Sequence, residues 1–262
     1  MVENIYIRVW GGIGNQLFIY AFARYISLNW DGKVGLEIYS GFRGDNYHRI
    51  YKLDRFSITL PKSNFLSSFF FSFNRKYPLL KRLIFPSSRL IIENEDQLIF
   101  DVCQFIPPSN QREKTLYYQG YWQHINFSSI REILLSELRF NLPPNSVFEE
   151  IKAKIQASEA VCLHVRRMQY SRLLTLDYYR AAVSILEKSC TAPCFFIFSD
   201  DLAWCRERLS ISYSCVYIDN FDDELYELQL MSFCHHFIIA NSSFSWWGAW
   251  LSQHPDKMVI LP

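Results

Sequence analysis

The chain has 262 residues, half of them apolar and 17% aromatic, with a formal net charge of +1 at pH 7. That length suits one two-lobed unit or two small domains rather than a single small module, and the apolar share excludes a disordered or low-complexity chain. Near-neutrality excludes a general nucleic-acid binder, so any anion site must be a local cluster of Lys and Arg.

From the N-terminus, residues 5–10 (IYIRVW) read as a short buried strand, ending in Gly11-Gly12-Ile13-Gly14. Phe18, Ala21, Phe22, Tyr25 and Leu28 then recur at helical spacing, with Asn15 as the expected cap and a stop near Asp31-Gly32. VGLEIY follows as a strand, so the chain starts as a layered α/β lobe. Met1 and Val2 are followed by the acidic Glu3 and no apolar signal core, which argues against secretion. No uninterrupted apolar run approaches the roughly 18 residues that cross a bilayer. Residues 65–85 (FLSSFFFSFNRKYPLLKRLIF) instead interleave aromatics with Arg75, Lys76, Lys81 and Arg82. They fit either peripheral contact with an anionic membrane surface or a core-packing helix pair broken at Pro78. Pro107-Pro108 marks a break, residues 116–123 (LYYQGYWQ) read as a strand, and 128–140 read as an amphipathic helix closed by Pro143-Pro144. That proline pair is the expected boundary between an N-terminal lobe, 1–144, and a C-terminal lobe, 145–262.

Past the boundary the alternation is regular: VCLHV, CFFIFS, CVYID, HFIIA and MVILP as strands, with four helical segments between them. Short β-rich apolar runs separated by helices predict a parallel sheet covered on both faces. Ligands bind such sheets outside the carboxyl ends of the strands, where loops and helix starts face a crevice. Those ends carry His164, Arg166 and Arg167; Ser199, Asp200 and Asp201; Asp219; and Asn241, Ser242, Ser243 and Ser245. Two arginines, several hydroxyls and carboxylates on one rim suit a nucleoside diphosphate, because arginine can fork onto phosphate oxygens.

Each candidate has a plainer reading beside it. Adjacent arginines are usually surface ion-pair partners, and an alternating strand sends only one into the crevice; Arg166 is the choice for phosphate, with Arg167 structural. His164 could be a hydrogen-bonded core histidine in a supporting role, and one of Asp200 and Asp201 could cap the next helix. The glycine loop lacks the Lys-Ser/Thr of a P-loop, and its content is close backbone approach at a helix start. Trp246, Trp247 and Trp250 fall on one helix face and read as packing. The seven cysteines are odd in number, sit mostly inside apolar runs and show no Cys-x-x-Cys pair, so they read as reduced core thiols.

Three stretches together, GGIGNQLFIYAFARYIS, HVRRMQY and NSSFSWWGAWLS, resemble the α-1,2-fucosyltransferases of glycosyltransferase family 11, and YYQGYWQ and FSDD resemble further pieces in the same order. The resemblance implies an α/β fold of the GT-B type, two Rossmann-like lobes facing a cleft, with GDP-fucose held mainly by the C-terminal lobe. It implies an inverting transferase that moves fucose from GDP-fucose to the 2-hydroxyl of a galactose-terminated oligosaccharide, without a metal, in bacterial surface glycan synthesis. Without a signal core the chain is expected to be cytoplasmic, and on the membrane reading of 65–85 it would be peripheral at the inner face of the membrane. The absence of an Asp-x-Asp triplet at any strand end agrees with metal independence.

By the same resemblance Arg166 binds the β-phosphate of the donor, and Asn15 lies beside fucose and phosphate with Gly12, Gly14 and Gln16 in its loop. Ser242, Ser243, Phe244 and Ser245 line the diphosphate with Asn241, Ser199 and Arg167 around them, and Asp200 or Asp201 reads guanine or ribose. One departure stands out. The family usually has Gly-Asp after the paired arginines, where this chain has Met168-Gln169, and an amide cannot act as a base. Asp177 and His164 are the remaining base candidates, and the family pattern leads one to expect a further helix beyond Pro262. Two rival readings stay open: a transferase for another nucleotide sugar, and a non-catalytic glycan- or nucleotide-binding protein.

Overall fold

A computed structural model describes residues 2–77, 80–94, 102–108, 111–168, 174–219 and 221–262. The chain forms two compact units, Met1–Asn141 and Leu142–Pro262, each built on its own parallel sheet.

The N-terminal unit contains β1 (Asn4–Arg8), α1 (Ile13–Asn29), β2 (Lys33–Glu37), α2 (Phe65–Lys76), α3 (Lys81–Ile84), β3 (Ser88–Ile92), β4 (Thr115–Gln119) and α4 (Arg131–Glu137). Its strands lie in the order β2-β1-β4-β3, with Ile5 facing Val34 and Ile7 facing Leu36 in register. Helix α1 is buried almost all round, which explains why its sequence shows so little polar face. Its cap is Gly12, and Asn15 lies inside the first turn instead of capping it. The strand expected over 116–123 stops at Gln119, because the Glu93 carboxylate takes the backbone N–H groups of Tyr121 (2.6 Å) and Trp122 (2.9 Å) and turns the chain there. Trp122 adopts a φ of +60° in that turn and stacks on Phe22 with ring centroids 4.0 Å apart. The helix expected over 128–140 begins as a single 3-10 turn and is α-helical only through Glu137. Residues 65–85 do form a helix pair, with Phe70 buried and stacked on Tyr117 at 3.6 Å; Pro78 lies outside the described residues.

The C-terminal unit contains α5 (Ser146–Gln156), β5 (Glu159–Val165), α6 (Leu176–Ser189), β6 (Pro193–Ser199), α7 (Leu202–Arg208), β7 (Cys215–Ile218), α8 (Glu224–Phe233), β8 (His236–Ile238), α9 (Ser243–Leu251) and β9 (Val259–Ile260). Its strands, all parallel, run β7-β6-β5-β8-β9. One sheet face packs on α5, α8 and α9 and the other on α6 and α7, so β5 and β6 are buried on both sides and read as unbroken apolar runs. Helix α5 was not among the expected elements, although Asn145 caps it and Phe148, Ile151 and Ile155 form its buried stripe. Gly248 brings α9 onto α8 so closely that a Cβ there would sit 2.8 Å from that of Met231. All seven cysteines are free; Cys162, Cys190, Cys205 and Cys234 are buried, whereas Cys103 is exposed.

Candidate active site

The order β7-β6-β5-β8-β9 reverses direction between β5 and β8, and the crevice of an open α/β sheet lies at such a reversal. Arg166 and Arg167 leave the carboxyl end of β5, and Asn241 and Ser242 lead from the β8 side into α9. The rings of His164 and Phe244, 5.8 Å apart, tie these two places together.

Asp200 organises the arginine turn. Its Oδ1 accepts the backbone N–H of Arg167 at 2.8 Å, its Oδ2 accepts that of Met168 at 3.0 Å, and the same Oδ2 lies 3.2 Å from the Arg166 Nε. Both oxygens of the residue expected to read guanine or ribose therefore also hold the turn. Asp201 caps α7 by accepting the Trp204 N–H at 3.0 Å, and Ser199 Oγ accepts the Asp201 N–H at 2.9 Å, so these two also shape the turn. The Arg167 guanidinium lies over the Trp204 ring, 4.3 Å from its centroid. That cation–π contact occupies the Arg167 guanidinium, whereas a third of the Arg166 side chain is exposed.

His164 is almost fully buried, and its Nδ1 finds no hydrogen-bond partner among the described residues. Burial, and then the nearby Arg166 charge, push its pKa down to about 3. The imidazole is neutral at functional pH and a poor proton acceptor, which fits support of the strand end better than base catalysis.

At the start of α9, Ser242 Oγ accepts the Phe244 N–H at 3.3 Å. The helix start turns its positive end toward the rim, an arrangement suited to a phosphate. Ser245 is different: it is buried and its hydroxyl faces the carbonyls of Ala240 (3.4 Å) and Ser242 (3.3 Å), so it holds the turn into α9. Trp247 is fully buried and lies 5.0 Å from the Trp250 ring, as expected of packing residues.

Asp177 is exposed in the first turn of α6, where its charge complements the helix dipole. Gln169 lies outside the described residues. A carboxyl that the sequence did not mark is Glu227 on α8. Burial and the neighbouring Glu224 raise its pKa to about 7 against the opposing pull of Arg166, so a second titratable group lies in the field of that arginine. Its only sequence signal was an acidic residue within an otherwise apolar helix segment, and such residues usually face solvent.

Among the described residues, Glu159, Cys190 and His236 could together approach a metal ion. Glu159 and His236 open β5 and β8, so this cluster sits at the end of the sheet opposite Arg166. His236 Nδ1 already accepts the Met258 N–H at 3.1 Å, which places the proton on Nε2 and opposes metal ligation there.

In the N-terminal unit the glycine loop is closed from within. Gln16 is buried; its Nε2 donates to the carbonyls of Gly11 (2.9 Å) and Ile50 (2.8 Å), and its Oε1 accepts the Lys52 N–H at 3.0 Å. Every one of those bonds lies within the protein, so the Gln16 amide is taken up in closing the loop. Gly11 needs its φ of +79°, and a Cβ there would meet Asn15 Nδ2 at 3.0 Å. Asn15 Oδ1 accepts from Gln123 Nε2 at 2.8 Å, Gly12 has open space above its Cα, and Gly14 is buried.

Two α/β units, each built on its own parallel sheet, give the chain a GT-B-like fold. Residues 103–261, more than half of the sequence, match the model of Glycosyl transferase family 11, and the chain belongs to that family. It is 28% identical to an α-1,2-colitosyltransferase of Escherichia coli, over 97% of this chain and 90% of that protein. It is also 28% identical to the galactoside 2-α-L-fucosyltransferase SEC1 of Bos taurus, over 36% of this chain and 29% of that one. In fold it is similar to the fucosyltransferase NodZ from Bradyrhizobium, with a TM-score of 0.54 at 11% identity, covering 95% of this chain and 92% of NodZ.

Proposed function

We propose that this transferase moves fucose from GDP-fucose to the 2-hydroxyl of a terminal galactose, in an α-1,2 linkage, with inversion and without a divalent metal. The observation that carries the reading is Arg166, braced by Asp200 at the end of β5 near the capped start of α9. The galactoside fucosyltransferase relative supports the sugar and acceptor, and the colitosyltransferase relative supports the linkage.

In the reaction the acceptor oxygen bonds to the anomeric carbon as the bond from that carbon to the β-phosphate oxygen breaks, and GDP departs with the electron pair. Arg166 and the α9 start stabilise the charge growing on the β-phosphate, the role a metal plays elsewhere. The acceptor proton passes to a base or to water; Asp177 is the candidate carboxylate, since His164 is too weakly basic. Glu227 acts on Arg166 through charge.

A second reading differs only in the donor sugar. The relative aligned over nearly the whole chain is named a colitosyltransferase, so GDP-colitose is the competing donor. Incubation with each donor and lactose, followed by linkage analysis, tests both. Faster transfer from GDP-fucose, giving an α-1,2 product in EDTA, supports the proposal. Exclusive use of GDP-colitose moves it to the second reading, and loss of turnover in EDTA removes metal independence.

A further inference from the structure

The sequence from 65 to 85 contains four basic residues and no acidic one, in a molecule whose net charge is only +1. The structure divides the apolar residues of this segment into two sets. Phe70 and Phe71 are buried and pack around Tyr117, fixing α2 to the sheet of the N-terminal unit. Phe65 (70% exposed), Phe69, Tyr77, Leu80, Leu83 (79% exposed) and Ile84 stay outside.

Part of the outer set lies in ring contact. Phe65, Phe69, Phe73 and Tyr77 recur every fourth residue, and the rings of Phe69, Phe73 and Tyr77 meet in sequence at 5.7 and 5.2 Å. Phe85 touches Phe69 at 6.0 Å, joining the short α3 to this stripe. Lys76 lies against the Tyr77 ring at 5.4 Å, so charge and aromatic surface occupy the same edge. Exposed large apolar side chains gathered in one place cost solubility unless something covers them.

We propose that this face docks on an anionic lipid bilayer. Exposed apolar side chains in a segment whose only charged residues are basic match a layer that is apolar below and negatively charged at its surface. A second copy of the chain fits poorly, because a two-fold contact would bring together two copies of a segment that has four basic residues and no acidic one. The twelve residues of α2 reach about 18 Å, short of the roughly 30 Å hydrocarbon layer, so the helix lies along the surface and does not cross. No described helix is long and apolar enough to span.

Sedimentation of the full chain with phosphatidylcholine vesicles, with and without about 30% phosphatidylserine, tests this. The wild-type protein should bind the anionic vesicles about tenfold better than the neutral ones, and high salt should weaken the binding. Combined Phe65→Ser and Leu83→Ser should remove binding, and Lys76→Glu should reduce it several-fold, with the thermal unfolding midpoint unchanged because all three positions are exposed. Wild-type protein that stays in solution with anionic vesicles, or variants that bind as well as wild type, would overturn the proposal. So would a wild-type dimer that the serine variant converts to a monomer by light scattering, since a second copy would then own the face.

Discussion

Helices α1 and α9 each begin where a parallel strand gives way to small residues, GGIG before the first and NSSFS before the second, yet their polar groups are committed differently. At α1 the buried Gln16 side chain ties Gly11, Ile50 and Lys52 into one closed loop. At α9 the Ser242 hydroxyl caps one N–H group, and the strand beside it ends in an arginine aimed by Asp200. Small residues at a helix start therefore announce a tight turn, and only the neighbouring charges decide whether that turn meets an anion. The first loop is a lock built from hydrogen bonds; the second is the rim proposed to neutralise a pyrophosphate.

The sharpest way to break this contrast is Arg166→Ala. Loss of one preorganised donor at a developing charge costs on the order of a hundredfold in rate, so kcat for transfer should fall at least that far. Arg166→Lys should restore little of it, because an ammonium lacks the guanidinium fork. Steady-state kinetics on folded protein distinguish these outcomes from wild-type turnover, which would remove Arg166 from the mechanism.

Gln16→Leu probes the other side of the contrast. It strands two carbonyls and one N–H in a buried place, so stability should drop by about 2 kcal/mol or more in a urea titration, with kcat per folded molecule nearly unchanged. A large loss of kcat at full stability would return Gln16 to the substrate.

His164 links the rim to pH. Its folded pKa of about 3 lies below the unfolded value near 6.5, so between those values the unfolded chain binds the proton and the folded chain does not. Stability should fall as pH drops from 6.5 toward 3, and His164→Gln should flatten that part of the profile. The smallest effect is expected for Ser242→Ala, about 1 kcal/mol of stability from the lost cap, read from the unfolding midpoint.

Much of the C-terminal sheet was legible in the sequence because its strands are buried on both faces and separated by amphipathic helices, a pattern that leaves little choice of fold. The rim residues followed from topology alone. What the sequence hid was commitment: Asp200, Ser245 and Gln16 are polar residues at plausible ligand positions, and only their hydrogen bonds show that each serves the backbone. Glu227 was hidden for the opposite reason, since its link to Arg166 spans 61 positions of sequence and no local pattern signals it. In the N-terminal unit the turn after β4 depends on Glu93, far away in the chain, so the strand end could not be placed from its own residues.

The account stands on Arg166 holding the donor's pyrophosphate, and a crystal structure of the protein with GDP measures that directly. The β-phosphate should lie within hydrogen-bond distance of the Arg166 guanidinium at the end of β5, with the start of α9 on its other side. GDP bound elsewhere, with Arg166 out of reach of either phosphate, would contradict it.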